Sequence, residues 1–221
     1  MSKSDEYWVK FWAEKSDPLH TGNDDAYYDR LARELAIILP ERFSSVLEIG
    51  CGNGCFYDRL GFDKVAYHGI DYSPAMIDHF ADKFPGASVA VQDFRDYQGA
   101  PGLDLIFSHA VVQYLTLAEF DTQVARSAQL LVPGGHIVHA GVLRKSTRRA
   151  MNLGELWENP GNPIKNIARD IIETLGLRRA MGHWHSIQQV RKIAHKHGLT
   201  AKFYGSLLFP YRFHVVMQKI G

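Results

Sequence analysis

The stretch Val46-Leu47-Glu48-Ile49-Gly50-Cys51-Gly52-Asn53-Gly54 decides the fold of this chain. It begins with an apolar run that contains one acid, which is typical of a buried strand bounded by a turn. The alternating glycines predict that turn, because glycine adopts backbone conformations closed to other residues and lets a ligand approach closely. A strand that runs through such a turn into a helix is typical of nucleotide sites at the edge of a parallel sheet.

Two classes of nucleotide-like ligand compete for this turn. A dinucleotide fingerprint reads Gly-x-Gly-x-x-Gly, whereas here the third glycine arrives one residue early, at Gly54, and Cys55 occupies the fingerprint position. Glu48 also precedes the first glycine. A carboxylate there would repel a pyrophosphate but suits a ligand with an ammonium or sulfonium group.

The pattern Glu-x-Gly-x-Gly-x-Gly over residues 48–54 resembles motif I of the class I S-adenosylmethionine-dependent methyltransferases. The resemblance implies that S-adenosylmethionine is the cofactor. It also implies that the motif lies against the cofactor through Glu48, Gly50, Cys51, Gly52 and Gly54.

Bulk composition limits the other functions. The chain has 221 residues, 46% of them apolar and 22% charged, which suits one domain with a substantial core. A net charge of +1 gives no long-range attraction to nucleic acid, so we expect a small-molecule substrate. There is no apolar signal region and no run as long as a membrane span, so we expect a cytoplasmic protein without membrane contact. The sequence does not distinguish a monomer from a homodimer.

The order of the predicted elements indicates the architecture. Strands are predicted at 45–49, 65–70, 88–91, 103–108, 136–141, 200–204 and 212–219, and helices at 25–39, 55–60, 74–84, 117–131, 164–175 and 187–197. Capping boxes are predicted at the starts of two of these helices, from Thr116 with Glu119 and from Ser186 with Gln189. This alternation, followed by two adjacent strands, predicts an α/β fold with a doubly wound, mostly parallel sheet and a terminal hairpin. The resemblance implies seven strands, with the last antiparallel beside the fifth and helices on both faces.

We expect one methyltransferase domain over residues 1–221, with two embellishments. Aromatic residues at helical spacing, including Trp12, predict that segment 1–23 is either a helix packed on the domain or a lid over the cofactor. Residues 143–185 form too long a connection for an ordinary α/β unit, which favours a substrate-pocket insertion. Its basic residues at 144–149 are typical of a solvated surface, although they would also suit an anionic substrate.

Two acids end predicted strands and complete the resemblance. Asp71 is placed to accept both hydroxyls of an adenosine ribose, although a helix cap is the alternative, for which Ser73 is the better placed residue. In the family, the position of Asp93 contacts the adenine amino group and that of Phe94 flanks the ring; the alternative for Asp93 is a turn aspartate. Tyr72 and Met76 complete the expected cofactor contacts.

Histidines are the candidates for acid–base chemistry. His109 ends predicted strand four, in a segment that resembles the family's fourth strand, and either takes a proton from an alcohol acceptor or packs against the cofactor. His185, in the loop before the last predicted helix, is the second candidate, as a base or a substrate contact. His183 and His185 lack a nearby acid or cysteine and make a poor zinc site, so no metal is expected. Alternation along the last predicted strand favours Arg212 and His214 as further pocket residues.

The leading hypothesis is therefore methyl transfer from S-adenosylmethionine to a small-molecule acceptor, most simply a hydroxyl oxygen. Strand four and Pro133-Gly134-Gly135 follow the acids in the order and spacing of the family, so the resemblance covers residues 45–140. Two alternatives stay open. One is an NAD(P)-dependent oxidoreductase, and the other is a non-catalytic S-adenosylmethionine-binding protein.

Overall fold

A computed structural model describes residues 25–157, 161–177 and 181–221. Its centre is a seven-stranded sheet of order β3-β2-β1-β4-β5-β7-β6. The strands are β1 (Ser45–Ile49), β2 (Ala66–Asp71), β3 (Val89–Val91), β4 (Leu103–His109), β5 (Leu131–Leu143), β6 (Leu199–Gly205) and β7 (Arg212–Lys219). Strands β1 to β5 pair in parallel, whereas β7 pairs antiparallel with both β5 and β6. The predicted fold class is confirmed.

Six α-helices are present in the part of the chain that the structure describes. They are α1 (Asp25–Ala36), α2 (Pro74–Lys83), α3 (Leu117–Leu130), α4 (Arg148–Leu153), α5 (Pro163–Thr174) and α6 (Ile187–Lys196). The helix predicted at 55–60 is wrong, because this segment forms successive turns. Helix α1 also ends earlier than predicted, at Ala36, since turns lead from there to Pro40.

The sheet separates two apolar layers. Alternate residues of a strand point to opposite faces, so neighbours such as Val46 and Leu47 enter different clusters. Helices α1 and α2 cover the Val46 face, and α3 and α6 cover the other. The large side chains at the centre of the two layers, all with almost no exposed surface, are Leu31, Leu35, Phe80 and Phe107 on one face and Ile106, Phe120 and Phe213 on the other. This packing holds the carboxyl ends of the parallel strands at one edge.

Helix starts follow the predicted capping chemistry with one exception. The predicted capping boxes open α3 at Thr116 and Glu119 and open α6 at Ser186 and Gln189. Ser73 precedes α2, but its hydroxyl makes no capping bond. Instead, the carboxylate of Asp71 accepts the Ser73 backbone N–H (2.9 Å), so the assignment of the cap to the Ser73 side chain is wrong.

The predicted turn at Pro133-Gly134-Gly135 lies inside β5 as a bulge. Leu103 pairs with Leu131 and Leu105 pairs with His136, so extra residues of β5 loop out between these two pairs. A second register shift lies between His139 and Val142, and it contains Gly141 with φ +71°. Strand β5 is therefore longer than predicted.

Residues 143–185 form an excursion that leaves the sheet at the carboxyl end of β5. Helices α4 and α5 pack together through Asn152, whose Nδ2 donates to Asp170 (3.2 Å) and to Glu173 (3.0 Å). The chain then returns to its starting point, since the His185 N–H donates to Leu143 O and the Lys145 N–H donates to His185 O, both at 2.9 Å. The excursion thus begins and ends beside the carboxyl end of β5.

In the part of the chain that the structure describes, no helix has the length and apolar character needed to cross a bilayer. No cluster of histidine, cysteine and acidic residues in the same ranges has the makeup of a metal site.

Candidate functional site

The glycine turn lies at the carboxyl end of β1, against the segment that follows β4. Gly50, Gly52 and Gly54 have φ of +70°, +54° and +78°, values that side chains rarely permit. A Cβ built on Gly50 would lie 2.4 Å from Cγ2 of Val111, so only glycine lets the two segments approach this closely. A Cβ built on Gly52 would meet no atom of the described residues within 4 Å, so the described part of the chain leaves this surface of the turn open.

Asp71 joins this turn to the start of α2. Its Oδ2 accepts the backbone N–H of Gly52 (3.0 Å), while Oδ1 accepts that of Ser73 (2.9 Å). Burial raises the pKa of this carboxyl group, and the backbone donors oppose the shift. Asp71 remains partly accessible, so its free lone pairs can accept hydroxyl groups of a ligand above the turn.

Three residues that closely follow Asp71 in the chain lie at the start of α2. The hydroxyl oxygen of Ser73 is buried without a hydrogen-bond partner. Met76 is buried in α2 but belongs to neither apolar cluster, and Tyr72 lies between Asp71 and Ser73, partly buried. An orphaned hydroxyl and open space above a positive-φ turn fit a polar nucleoside ligand at this end of the sheet.

Glu48 differs from the charged carboxylate expected in the sequence analysis. It is only 2% exposed, and the Tyr67 phenol donates to its Oε2 (2.7 Å). Burial raises the pKa of Glu48 to about 8, although the Tyr67 hydrogen bond opposes this. The side chain is therefore mainly neutral near pH 7 in the free protein, and a neighbouring cation would favour its ionised form. Cys51 beside it is also buried, which raises the pKa of its thiol.

Asp93 and Phe94 lie at the far side of the sheet, after β3. The Asp93 carboxylate accepts the Arg95 backbone N–H (2.8 Å) and forms an ion pair with the Arg95 guanidinium (2.6 Å). It therefore caps a short 3-10 helix, as the turn alternative predicts, and stays partly exposed. The Phe94 ring is buried and stacks on Tyr97, with 6.1 Å between ring centroids.

The end of β4 carries His109 into the centre of the site. Its ring lies edge-on to Phe56 (5.0 Å between centroids), and a Cβ built on Gly141 would lie 3.1 Å from its Nε2. Burial, together with the charge of Arg212, lowers the pKa of His109 to about 3. The next residue, Ala110, has φ +55°, a strained conformation of the kind found at functional sites. His109 is thus a neutral ring and a weak base.

His185 is buried inside the protein. It is 2% exposed, and its Nε2 is 3.2 Å from Val112 O. Burial lowers its pKa to about 4. Its backbone also anchors residues 143–185, so its geometry fits a positioning residue better than a base.

A second polar cluster lies beside His109. Arg212 donates through Nη1 to Gly141 O (2.5 Å) and through Nη2 to Gln113 Oε1 (3.0 Å). The Gly141 N–H donates to His214 Nδ1 (3.1 Å), which leaves the proton on Nε2 to bond Glu34 Oε1 (2.8 Å). Burial lowers the pKa of His214, in keeping with a neutral ring.

Sequence reasoning only partly anticipated this cluster. Strand alternation in β7 indicated Arg212 and His214, but Glu34 was not considered. The sequence did contain a signal for Glu34. It falls beside Leu31 and Leu35 on the apolar face of α1, where a charged side chain is rarely buried without a partner. The structure brings the glycine turn, Asp71 and His109 together, whereas Trp12 and the whole of segment 1–23 lie outside the described residues.

Comparison with known proteins places these residues in a family context. A family profile described as a methyltransferase domain matches residues 47–137. An uncharacterized methyltransferase of Geobacillus kaustophilus is 28% identical over 215 residues, which cover 94% of each chain. One of Geobacillus thermodenitrificans is 34% identical over 134 residues, which cover 58% of this chain and 62% of that relative.

Solved structures resemble the fold over most of its length. DesVI of Streptomyces venezuelae superposes with a TM-score of 0.62 at 18% identity, covering 100% of this chain and 99% of that one. CalS10, an amino pentose methyltransferase of Micromonospora echinaspora with bound S-adenosylmethionine, gives a TM-score of 0.62 at 16% identity, with 96% of both chains covered. Magnesium protoporphyrin IX methyltransferase of Synechocystis gives 0.58 at 14% identity, covering 88% and 79%.

Proposed function

Because this chain belongs to the class I S-adenosylmethionine-dependent methyltransferases, we propose that it methylates a hydroxyl oxygen of a small molecule and releases S-adenosylhomocysteine. One observation carries the proposal. Asp71 accepts the backbone N–H of Gly52, so the glycine turn and the strand-end acid form one unit. The described part of the chain leaves the Gly52 surface of this unit open to a ligand. Both residues lie within the segment that the methyltransferase profile matches.

The proposed cofactor contacts lie along the carboxyl ends of β1 to β4, apart from Trp12. The glycine turn would face the methionine portion, with Glu48 beneath it, and Asp71 would accept the ribose hydroxyls. The remaining proposed contacts are Tyr72, Met76, Asp93 and Phe94 around the adenine, His109 at the reacting end, and Trp12 from the amino-terminal segment. When bound, S-adenosylmethionine supplies a methyl group on a sulfonium, which is already a good leaving group.

The protein's task is then alignment and exclusion of water. His109, Phe56 and Gly141 meet at the end of β4 and form a tightly packed wall there. A histidine with a pKa near 3 binds a proton poorly at neutral pH, so we assign His109 a positioning role toward the acceptor rather than that of a general base. His185 would hold residues 143–185 in place.

A small acceptor suits the walls around His109. Aromatic side chains approach from helix α1, from the glycine turn region and from the loop before β7: Tyr27, Tyr28, Phe56, Phe209 and Tyr211. Such rings stack on sugars and on aromatic acceptors. Residues 143–185 would close the pocket beside β5, and segment 1–23 would cover it. Oxygen is favoured as the acceptor atom because proteins of Burkholderia thailandensis and Nostoc punctiforme with this fold are described as O-methyltransferases.

Calorimetry with S-adenosylmethionine, S-adenosylhomocysteine and NAD tests the cofactor. We expect both sulfur compounds to bind and NAD to bind far more weakly; tighter binding of NAD would favour the oxidoreductase alternative. Release of S-adenosylhomocysteine across a panel of hydroxylated and aminated small molecules then tests turnover. Methylation of amines alone would replace oxygen by nitrogen, and cofactor binding without any turnover would favour the non-catalytic alternative.

A further inference from the structure

Arg212 is a cation held by uncharged partners. Its two hydrogen bonds go to the Gly141 carbonyl and the Gln113 amide oxygen, both of which are neutral. In residues 25–157, 161–177 and 181–221, its guanidinium forms no ion pair with an acid. Glu34, the buried acid of this region, makes its hydrogen bonds through Oε1 with His214 (2.8 Å) and the Leu207 N–H (2.7 Å) rather than with Arg212.

The guanidinium also lies at the reacting end of the site. A Cβ built on Gly141, to which it donates, would lie 3.1 Å from His109 Nε2. The positive charge of Arg212 contributes to the lowered pKa of His109 and opposes the raised pKa of Tyr27. Its carbon lies 5.6 Å from the centroid of the Tyr211 ring. Arg212 therefore borders both the end of β4 and the aromatic walls proposed for the acceptor.

The free donors of this guanidinium suit a planar anion. An arginine carries five N–H donors, and the two protein contacts leave about three for a ligand. A half-buried cation without an ion-pair partner is costly, whereas a carboxylate can accept two parallel N–H bonds from it.

We propose that the small-molecule acceptor carries a carboxylate and that Arg212 binds this group beside His109; the inference rests on the methyl-transfer function proposed above. Arg212 is then a specificity-determining residue. Gln113 and Gly141 hold the guanidinium in place, and the aromatic walls receive the body of the acceptor.

Benzoate and its neutral isostere benzamide are suitable probes for protein saturated with S-adenosylhomocysteine. We expect calorimetry or ligand-observed NMR to detect benzoate binding and at least about tenfold weaker binding of benzamide. Arg212→Gln should weaken benzoate binding by at least about tenfold and leave benzamide unchanged, because about 1.4 kcal/mol per tenfold is within the range of one charge-assisted hydrogen bond. Arg212→Lys keeps the charge but loses the fork geometry, so it should retain part of the binding.

Arg42→Gln is the matched control, since it removes the same charge from an exposed side chain that precedes β1, outside the proposed pocket, and it should leave benzoate binding unchanged. Equal binding of benzoate and benzamide, no benzoate binding at all, or the same loss in Arg212→Gln and Arg42→Gln would overturn the proposal. Equal loss in Arg212→Lys and Arg212→Gln would also overturn it, because the effect would then be structural. Failure of the unmodified protein to bind S-adenosylhomocysteine would instead refute the methyl-transfer function.

Discussion

The two halves of the sheet build their polar contacts over very different distances along the chain. In the half made of β1 to β3, the Glu48–Tyr67 and Gly52–Asp71 contacts each span 19 residues, and Asp93–Arg95 spans 2. In the half made of β4 to β7, Arg212 reaches Gln113 across 99 residues and His214 reaches Glu34 across 180. The half made of β1 to β3, the proposed cofactor half, is thus a local unit. The half made of β4 to β7, the proposed acceptor half, depends on the closure of the whole domain.

This difference indicates how each half can change. A local unit keeps its geometry in many sequence contexts, because strand, turn and helix are consecutive in the chain. A site assembled from distant elements alters whenever a connection such as 143–185 changes length. We therefore expect cofactor binding and acceptor choice to respond to different substitutions.

Asp71→Ala should have the largest effect and should fall on the cofactor half. The substitution removes the proposed ribose acceptor and leaves the N–H groups of Gly52 and Ser73 without their partner. We expect a loss of at least about 100-fold in affinity for S-adenosylhomocysteine, or about 3 kcal/mol, together with a lower Tm. Calorimetry and thermal unfolding measure both. Asp96→Ala, an exposed acid nearby, should leave both unchanged, and normal affinity in Asp71→Ala would remove Asp71 from the ribose.

Glu48→Gln tests the buried acid of the same half through pH. The folded-state pKa of about 8 lies above the unfolded value of 4.5, so the folded protein binds more protons between them and its stability falls as pH rises through that window. We expect a decline of up to about 3 kcal/mol between about pH 5 and pH 8, most of which the glutamine should abolish. Urea unfolding at each pH measures it. Identical slopes in the two proteins would show that Glu48 ionises freely.

Gly50→Ala tests the contact between the halves. The added Cβ would meet Val111 Cγ2 at 2.4 Å, at φ +70°, so we expect a destabilisation of about 2 kcal/mol in urea unfolding and weaker cofactor binding. Gly52→Ala is the matched control, because it has a positive φ but open space around it, and it should cost about 1 kcal/mol. Val111→Ala in the Gly50→Ala background should recover part of the loss. An additive double substitution would mean that the steric contact is unimportant.

His109→Gln should have the smallest effect and concerns the acceptor half. Since the ring is neutral and weakly basic, we expect kcat to fall by less than about tenfold, with no loss of an inflection near pH 6.5. The pH dependence of kcat in both proteins measures this. A fall of about 100-fold or more with loss of an acidic limb would restore His109 as the general base.

How much of the structure could be predicted from the sequence depends on how far apart in the chain the interacting residues lie. Capping boxes at Thr116 and Ser186 and the positions of Glu48 and Asp71 at strand ends follow from neighbouring residues, so they were predicted correctly. The protonation of Glu48 was not, because it depends on burial by residues of other elements. The bulge at Pro133-Gly134-Gly135 was also missed, since its geometry is set by pairing with β4 rather than by the turn residues themselves.

Short-range patterns therefore established the α/β order, the glycine turn and the two strand-end acids, because glycine conformations, caps and alternation act within a few residues. Packing in three dimensions was needed to place Arg212 and Gln113 beside His109 and to bury Glu34 against His214. The reason is physical: hydrogen bonds between residues 70 to 180 positions apart form only when the sheet closes, and desolvation then shifts the pKa of buried groups such as Glu48 and His109.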